Sequence, residues 1–396
     1  MLWLDFKARG VLLMGDVYVV ASVRSAVGRK DGMLTQVRPD ELLADVLDEL
    51  ISRADVDPSL VEDVIIGCVT QVNEQAMNVA RTSLLMAGFP EDVPGVTIDR
   101  QCGSSQQAVH FGAQAIAAGD MDVVVAGGVE SMTRSPMFAN VGQTNHSPRL
   151  TQQYDIVHQG ISAERIADKW NFSRSELDEY AYLSHERALK AIDAGKFLQE
   201  IMPLNIINEN DEQTIFQTDE GPRRSTSIEA LASLKPVFKK NGKITAGNAS
   251  QMSDGASAVL LMSGKKVREL GIKPQAKIVA RTVIGSDPTL MLTGPIAATK
   301  KVLQKANLTI NDFDLYEVNE AFASVPLAWL TDLKADIDKL NVNGGAIALG
   351  HPLGATGTRL ITTLLHELER IDGEYGLVAI CEGMGMANAT IFERIK

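Results

Sequence analysis

Hydrophobic and polar positions alternate in two distinct rhythms along the chain. VYVVASV (17–23) is a short apolar, β-branched run and predicts a strand. PDELLADVLDELISRA (39–54) repeats its apolar residues at helical spacing, with Pro39 near its start, and predicts a helix. VEDVIIGCV (61–69), GVTIDRQ (95–101) and DVVVAGG (122–128) read as buried strands, and SSQQAVHFGAQAIAAG (104–119) as a helix of small residues. Strands alternating with helices argue for an α/β fold with a largely parallel sheet.

The same order returns near the C-terminus. AKIVARTVIG (276–285) matches the opening strand, and the stretch 296–321 follows the pattern of 44–69. Leu50, Ile51, Ala54, Val56, Val61 and Ile66 fall opposite Val302, Leu303, Ala306, Leu308, Phe313 and Val318. KLNVNGG (339–345) answers GVTIDRQ, a helix over about 354–370 follows, and the strand YGLVAICEG (375–383) completes the copy. The repeat predicts two packed α/β domains related by a pseudo-twofold. Chance similarity between α/β units is the plainer account, but the matched order of elements favours duplication. The boundaries are a first domain over 14–130, completed by about 246–272, and a second over 273–396.

Between the halves, 131–245 is polar and mixed in charge and reads as an insertion lying over the first domain. SRSELDEYAYLSHERALKAIDAGKF (173–197) within it predicts helix, with Ser173 as N-cap and Glu176 three residues on. Insertions of this kind often carry ligand contacts. Met14 sits just before the first strand, so residues 1–13 read as an extension; Asp5, Lys7 and Arg9 interrupt its apolar residues, and it does not resemble a signal peptide.

Composition narrows the partners. The 396 residues are 45% hydrophobic and 22% charged, as in ordinary soluble proteins, and can enclose a full core. The net charge of −12 argues against nucleic acid, which needs a basic face, while leaving room for an anionic small ligand at a local basic cluster. No apolar run is long enough to span a bilayer, so no membrane insertion is expected. Cys68, Cys102 and Cys381 lie too far apart in sequence for a disulfide framework or a zinc motif, so no metal is expected and a reducing, cytoplasmic location is the simpler inference.

Four stretches carry candidate chemistry. DRQCGSSQQAV (99–109) sets Cys102 among small and amide residues at a helix start, where a thiolate would be favoured; a lone cysteine is more often a buried core residue. NGGAIALGHPLGATGTR (343–359) is dense in glycine around His351, but lacks the ending of a P-loop and the spacing of a dinucleotide fingerprint. CEGMGMANA (381–389) runs Cys381 into a glycine turn, and YEVNEAFA (316–323) ends an apolar strand on Asn319 and Glu320, which could simply cap the next helix. Each alone is better explained by structure. In the two-copy reading all four fall at C-terminal ends of strands, where open α/β sheets place their sites. Together they supply a nucleophile, an imidazole base, a second thiol, an amide and glycine N–H donors.

These blocks, with TAGNASQMSDGA (245–256), resemble the signature blocks of the thiolases, in the family's order and over nearly the whole chain from Met14 onward. The resemblance implies the layered αβαβα fold with an inserted loop domain. It implies CoA-dependent cleavage of 3-ketoacyl-CoA, or the reverse condensation, through an acyl-cysteine, with coenzyme A as co-substrate and no tightly bound cofactor. By that resemblance Cys102 is the acylated nucleophile, His351 takes its proton, and Cys381 moves the proton at the α-carbon. His351 with a water held by Asn319 forms one oxyanion hole, and the N–H groups of Cys102 and Gly383 form the other. A helix N-terminus and a nearby imidazole are expected to lower the thiol's pKa.

CoA is long and anionic, so a basic strip is expected, and 220–243 supplies Arg223, Arg224, Lys235, Lys239 and Lys240. The resemblance places Arg223 beside adenine, Phe238, Ala246 and Ser250 along the pantetheine, and His158 near its far end. Gln159 replaces the methionine common in short-chain biosynthetic members, which weakens an acetoacetyl-CoA-only assignment. Met384 and Ala387 stand where many members carry glycine. The 137–157 loop looks short in a region that often mediates tetramer contacts, so a homodimer is the minimum expected and a homotetramer stays open. The expectation is a degradative 3-ketoacyl-CoA thiolase of fatty-acid β-oxidation. The alternatives are an acetoacetyl-CoA-specific biosynthetic thiolase and a non-catalytic acyl-CoA- or lipid-binding relative; the ketoacyl synthases share the fold but do not use the second cysteine.

Overall fold

The computed structural model describes residues 15–207 and 212–396; the expected extension over 1–13 lies outside the described residues. Nine strands carry the fold: β1 (Val17–Ser25), β2 (Asp63–Gly67), β3 (Gly95–Ile98), β4 (Val123–Ser131), β5 (Ser253–Ser263), β6 (Ala276–Gly285), β7 (Leu315–Val318), β8 (Tyr375–Glu382) and β9 (Met386–Arg394). They lie in the order β7-β8-β9-β6-β1-β5-β4-β2-β3. Gly28–Arg29 and Ile201–Met202 add two short strands to make eleven. Read outward from the β1–β6 junction, the two arms follow the same succession, as duplication requires. That junction is slight: Tyr18 faces Lys277 and Val19 faces Ala276.

The helices of eight or more residues are α1 (Pro39–Ala54), α2 (Val79–Met86), α3 (Ser104–Ala118), α4 (Gln159–Lys169), α5 (Arg174–Asp193), α6 (Gly294–Ala306), α7 (Ser324–Leu333) and α8 (Thr356–Arg370). Strand alternation sorts them into layers. Val123 and Val125 of β4 pack with Leu43, Leu47 and Leu84 of α1 and α2, while Val124 and Ala126 pack with Val109 of α3 and Leu360 of α8. In the second half Val378 and Ile380 of β8 join that same central cluster, while Leu377 and Ala379 pack with Val302 of α6 and Trp329 of α7. The result is five layers, with α3 and α8 filling the middle. The repeat extends to the helix ends: Asp55 after α1 and Asn307 after α6 both cap in the left-handed region, at φ 51° and 54°.

Three expectations need correcting. The sheet is mixed rather than largely parallel. β2–β3, β2–β4 and β7–β8 are parallel, but β5 and β9 run antiparallel to both of their neighbours. Gly383–Met384–Gly385 turns β8 directly into β9, and so short a loop can only join antiparallel strands. KLNVNGG forms no strand: Leu340 makes a lone bridge to Tyr316, and the side chain of Asn341 then replaces the ladder. Its amide donates to the Val318 carbonyl and its oxygen accepts from the Val318 N–H, both at 2.9 Å. The insertion does not lie over the first half alone. Ala163, Ile166, Leu177 and Tyr180 of α4 and α5 belong to the second half's outer cluster, while Ala188 and Phe197 join the first. The expected Ser173 cap is present, with Glu176 closing a capping box. Among the described residues no helix is long and apolar enough to cross a membrane.

Candidate active site

Cys102 sits between the end of β3 and α3 and is 4% exposed. Gln101 before it holds φ 49°, a strained value for a residue with a Cβ, and Ser104 stitches the turn by accepting from the Arg100 N–H at 2.8 Å. α3 can come this close to β2 because Gly67 has no side chain; a Cβ there would lie 2.5 Å from the Ser105 nitrogen. The expected lowering of the thiol's pKa is not found. Burial pushes it well up, and ionisation of the neighbouring Cys381 or Glu382 would push the same way. Desolvation outweighs the helix terminus, so Cys102 rests as a thiol.

His351 lies on the glycine-rich loop, buried, with its backbone N–H donating to the Gln251 carbonyl and the Ser253 hydroxyl, each at 3.1 Å. Its Nδ1 is 2.7 Å from Thr356 Oγ1, and that hydroxyl donates its own proton to the Pro352 carbonyl at 2.8 Å. A hydroxyl has one proton, so Nδ1–H must be the donor and Nε2 carries the lone pair. Asn319, at the end of β7, brings its Nδ2 to 3.3 Å from that Nε2. Burial, and then the Arg359 charge, hold the imidazole at a pKa of about 3, so it is neutral. Asn319 Oδ1 is buried without a partner among the described residues. Glu320 is structural: it accepts from Tyr180, Ser184, Asn341 and the Ile347 N–H, tying the insertion to the His351 loop.

Cys381 is fully buried near the end of β8, and burial pushes its thiol up to about 12. The turn that follows holds Met384 at φ 63° and Gly385 at φ 77°. Gly383 lies against Gln101, so the two cysteine-bearing turns touch.

Two cavities meet here. One, of about 630 Å³, is lined by Cys102, Gly383 and Met384 together with Met137, Val141, Ile156 and Met291. The other, of about 540 Å³, is lined by His351, Arg223, Phe238, Ala246, Ser250 and Phe322. Met137, Phe138, His158, Gln159 and Leu353 belong to both walls. The five residues expected along CoA, namely His158, Arg223, Phe238, Ala246 and Ser250, all line the second cavity, and Gln159, expected to shape the substrate site, lines both. His158 stacks on Phe238 with ring centres 5.0 Å apart. The basic strip does not hold together. Lys239 pairs with Asp168 and Arg224 with Asp193, because exposed cations find the nearest carboxylates. Arg29 and Lys30 instead join Arg223 at this cavity; they sit far from the CoA blocks in sequence, and only the fold brings them in. Thr356, which sets the imidazole, was equally invisible as a role, although it lies five residues after His351. Among the described residues no group of three or more His, Cys, Asp or Glu side chains is placed to hold a metal ion.

Comparison with known proteins gives a consistent result. The family model for the thiolase N-terminal domain matches residues 17–265, and that for the thiolase C-terminal domain matches 272–394. A steroid 3-ketoacyl-CoA thiolase of Mycobacterium tuberculosis is 50% identical over 400 residues, covering 98% of this chain and 96% of its own. A beta-ketoadipyl-CoA thiolase of Acinetobacter baylyi is 43% identical over 96% of this chain and all of its own. The solved structure of human mitochondrial 3-ketoacyl-CoA thiolase superposes with a TM-score of 0.89 at 39% identity, over 97% of this chain and 100% of that one.

Proposed function

The chain belongs to the thiolase family of acyltransferases, and from that premise we propose that it cleaves bulky 3-ketoacyl-CoA substrates with free CoA, through an acyl group carried on Cys102. The observation that carries this reading is the meeting of two cavities, with Cys102 opening into one and His351 into the other. The His351 cavity, of about 540 Å³, carries Arg29, Lys30 and Arg223 in its wall and suits CoA. The Cys102 cavity has the volume of a site for a drug-sized group, far more than an acetyl group needs, and its apolar walls suit a hydrocarbon acyl chain. Relatives that act on steroid and beta-ketoadipyl substrates support the same direction. A degradative enzyme of β-oxidation fits this reading, and three free cysteines suit the cytoplasm.

In the proposed reaction His351 Nε2 takes the Cys102 proton as sulfur attacks the 3-keto carbon. The C2–C3 bond then breaks, its electron pair passes into an acetyl-CoA enolate, and the Cys381 thiol protonates C2. After acetyl-CoA leaves, the thiol of CoA gives its proton to the Cys381 thiolate and attacks the acyl-Cys102 thioester; the C–S bond to Cys102 breaks, the shortened acyl-CoA departs, and the His351 imidazolium returns its proton to the Cys102 sulfur. Asn319 and His351 face one developing oxyanion, and the Cys102 and Gly383 N–H groups the other; each such donor is worth on the order of 3 kcal/mol. A neutral imidazole with its lone pair at Nε2 and two protonated thiols are the starting states these steps need.

The test is CoA-dependent cleavage across 3-ketoacyl-CoAs, from acetoacetyl-CoA to long and ring-bearing acyl groups, with mass analysis of acylated Cys102. Activity reaching well past four carbons, lost in Cys102→Ala, is expected. Cleavage of acetoacetyl-CoA alone would overturn the bulky-substrate reading. We further propose at least a homodimer. β3 is an edge strand, and Val96 on it, with Leu85 and Met86 of α2, is exposed, an arrangement that soluble proteins usually cover.

A further inference from the structure

One buried ionisable group next to the nucleophile takes no part in the steps above. Glu382 is the last residue of β8 and is fully buried. Val378 and Ile380 of the same strand face the central layer, and the twofold period puts Glu382 on that face, with Cys102. Its carboxyl lies directly on Gly103, the residue after Cys102, where a Cβ would overlap Oε1. Neither carboxyl oxygen has a hydrogen-bond partner among the described residues. The neighbouring amide of Asn388 is spent on the Gly103 carbonyl at 3.2 Å, and Arg100 Nη1 points to Met386 Sδ at 3.7 Å. An unpaired, desolvated carboxylate is far costlier than the neutral acid.

We propose that Glu382 is a positioning residue for the nucleophile: as the neutral acid it permits the Cys102 thiolate, and as the carboxylate it opposes it. The proposal rests on the reading of Cys102 as the nucleophile. The charged groups around Glu382 are Asp99 and Arg100 on the segment before α3, with the thiols of Cys102 and Cys381; Arg100 favours ionisation and Asp99 opposes it. Burial dominates and lifts the carboxyl to about 8. Proton loss from Glu382 to water therefore falls at mildly alkaline pH, and each lost proton places an anion beside the forming thiolate.

The experiment is the rate of Cys102 alkylation by iodoacetamide, followed by peptide mass, from about pH 6.5 to about pH 9.5. It compares the wild type with Glu382→Gln and Glu382→Leu, both of which remove the charge. The ratio of variant to wild-type rate is expected to climb about tenfold with rising pH, as one like charge shifts a neighbouring pKa by about one unit. The midpoint of that climb is expected near 8. A ratio that is flat with pH, including a uniform loss of reactivity from damage to the fold, overturns the proposal. If Glu382→Gln does not fold, Glu382→Leu decides. A wild-type rate that rises as one simple thiol titration overturns it without either variant. Absence of label on Cys102 in the wild type would overturn the nucleophile reading, and the proposal with it.

Discussion

Thr356→Val would remove the one acceptor that fixes the imidazole while keeping the side chain's shape. In the native site Thr356 accepts from His351 Nδ1–H at 2.7 Å and donates to the Pro352 carbonyl at 2.8 Å. Valine leaves the Nδ1–H buried and unpaired, a penalty of about 1–3 kcal/mol. The ring escapes that penalty by moving the proton to Nε2, which destroys the lone pair that faces Asn319. The active tautomer is thus disfavoured by the same 1–3 kcal/mol, or about 5- to 150-fold in kcat, at about 1.4 kcal/mol per factor of ten. KM for CoA should change little, because the variant touches neither Arg223 nor Phe238. Thr356→Ser keeps the hydroxyl and loses only a buried methyl, so it should recover kcat to within about threefold at a stability loss of about 1 kcal/mol. The assay is steady-state thiolysis of a 3-ketoacyl-CoA, with kcat and KM separated. A valine variant within about twofold of the wild type, or a serine variant as slow as the valine one, would refute the tautomer argument.

Cys381→Ala should leave Cys102 open to acetylation by acetyl-CoA but slow carbon–carbon cleavage by about 10²- to 10⁴-fold, because only the enolate step loses its acid; equal loss of both would sink that division. Gly160→Ala would drive a methyl into the ring of Phe238, which stacks on His158, and should raise KM for CoA about tenfold with less change in kcat. Glu382→Leu should show the pH sign of a carboxyl lifted from 4.5 to about 8. The folded wild type binds the extra proton between those values, so as pH rises through that window it loses an increment of stability that the variant, which keeps the other raised carboxyls such as Glu317, does not lose. The Tm difference between them should grow from about pH 4.5 to about pH 8 and then level off; a constant difference would count against the buried acid.

How much of this was legible in the residues differs by element. Periodicity marked α1, α3, α8, β1, β6 and β8 closely, because each buries a regular face in one of three cores, but it marked no strand over 253–263 or 386–394, where β5 and β9 run. It misread KLNVNGG, where one asparagine side chain does the pairing of a strand. It also misjudged the insertion, whose helices bury faces against both halves. The motif residues were visible through their types and through the repeat. Arg29, Lys30, Thr356 and Glu382 were not, since their significance depends on what stands next to them. Glu382 had a weak signal: a carboxylate in an otherwise apolar strand, two residues after Ile380 on the same face. The thiol pKa went the other way because the helix terminus acts over a turn, while burial acts on the whole side chain.

The duplication explains why neither half could hold this chemistry alone. Cys102 comes from the first copy, and Asn319, His351 and Cys381 from the second. Their spacing is set by backbone contacts that admit no side chain. Gly128 of β4 lies on the Gly354 carbonyl, and Gly357 at the start of α8 lies on the Gln106 nitrogen of α3. Glu130 then accepts from the Val69, Thr70 and Gly354 N–H groups, locking the His351 loop to the ends of the first copy's strands. The glycines of the 343–359 stretch thus act on position more than on substrate. They let the strand ends of the two halves approach until Cys102 from one and His351 from the other open into adjoining cavities. A methyl added at Gly128 or Gly357 would part them, and the proposed nucleophile and its proposed base would separate while each half kept its own core intact.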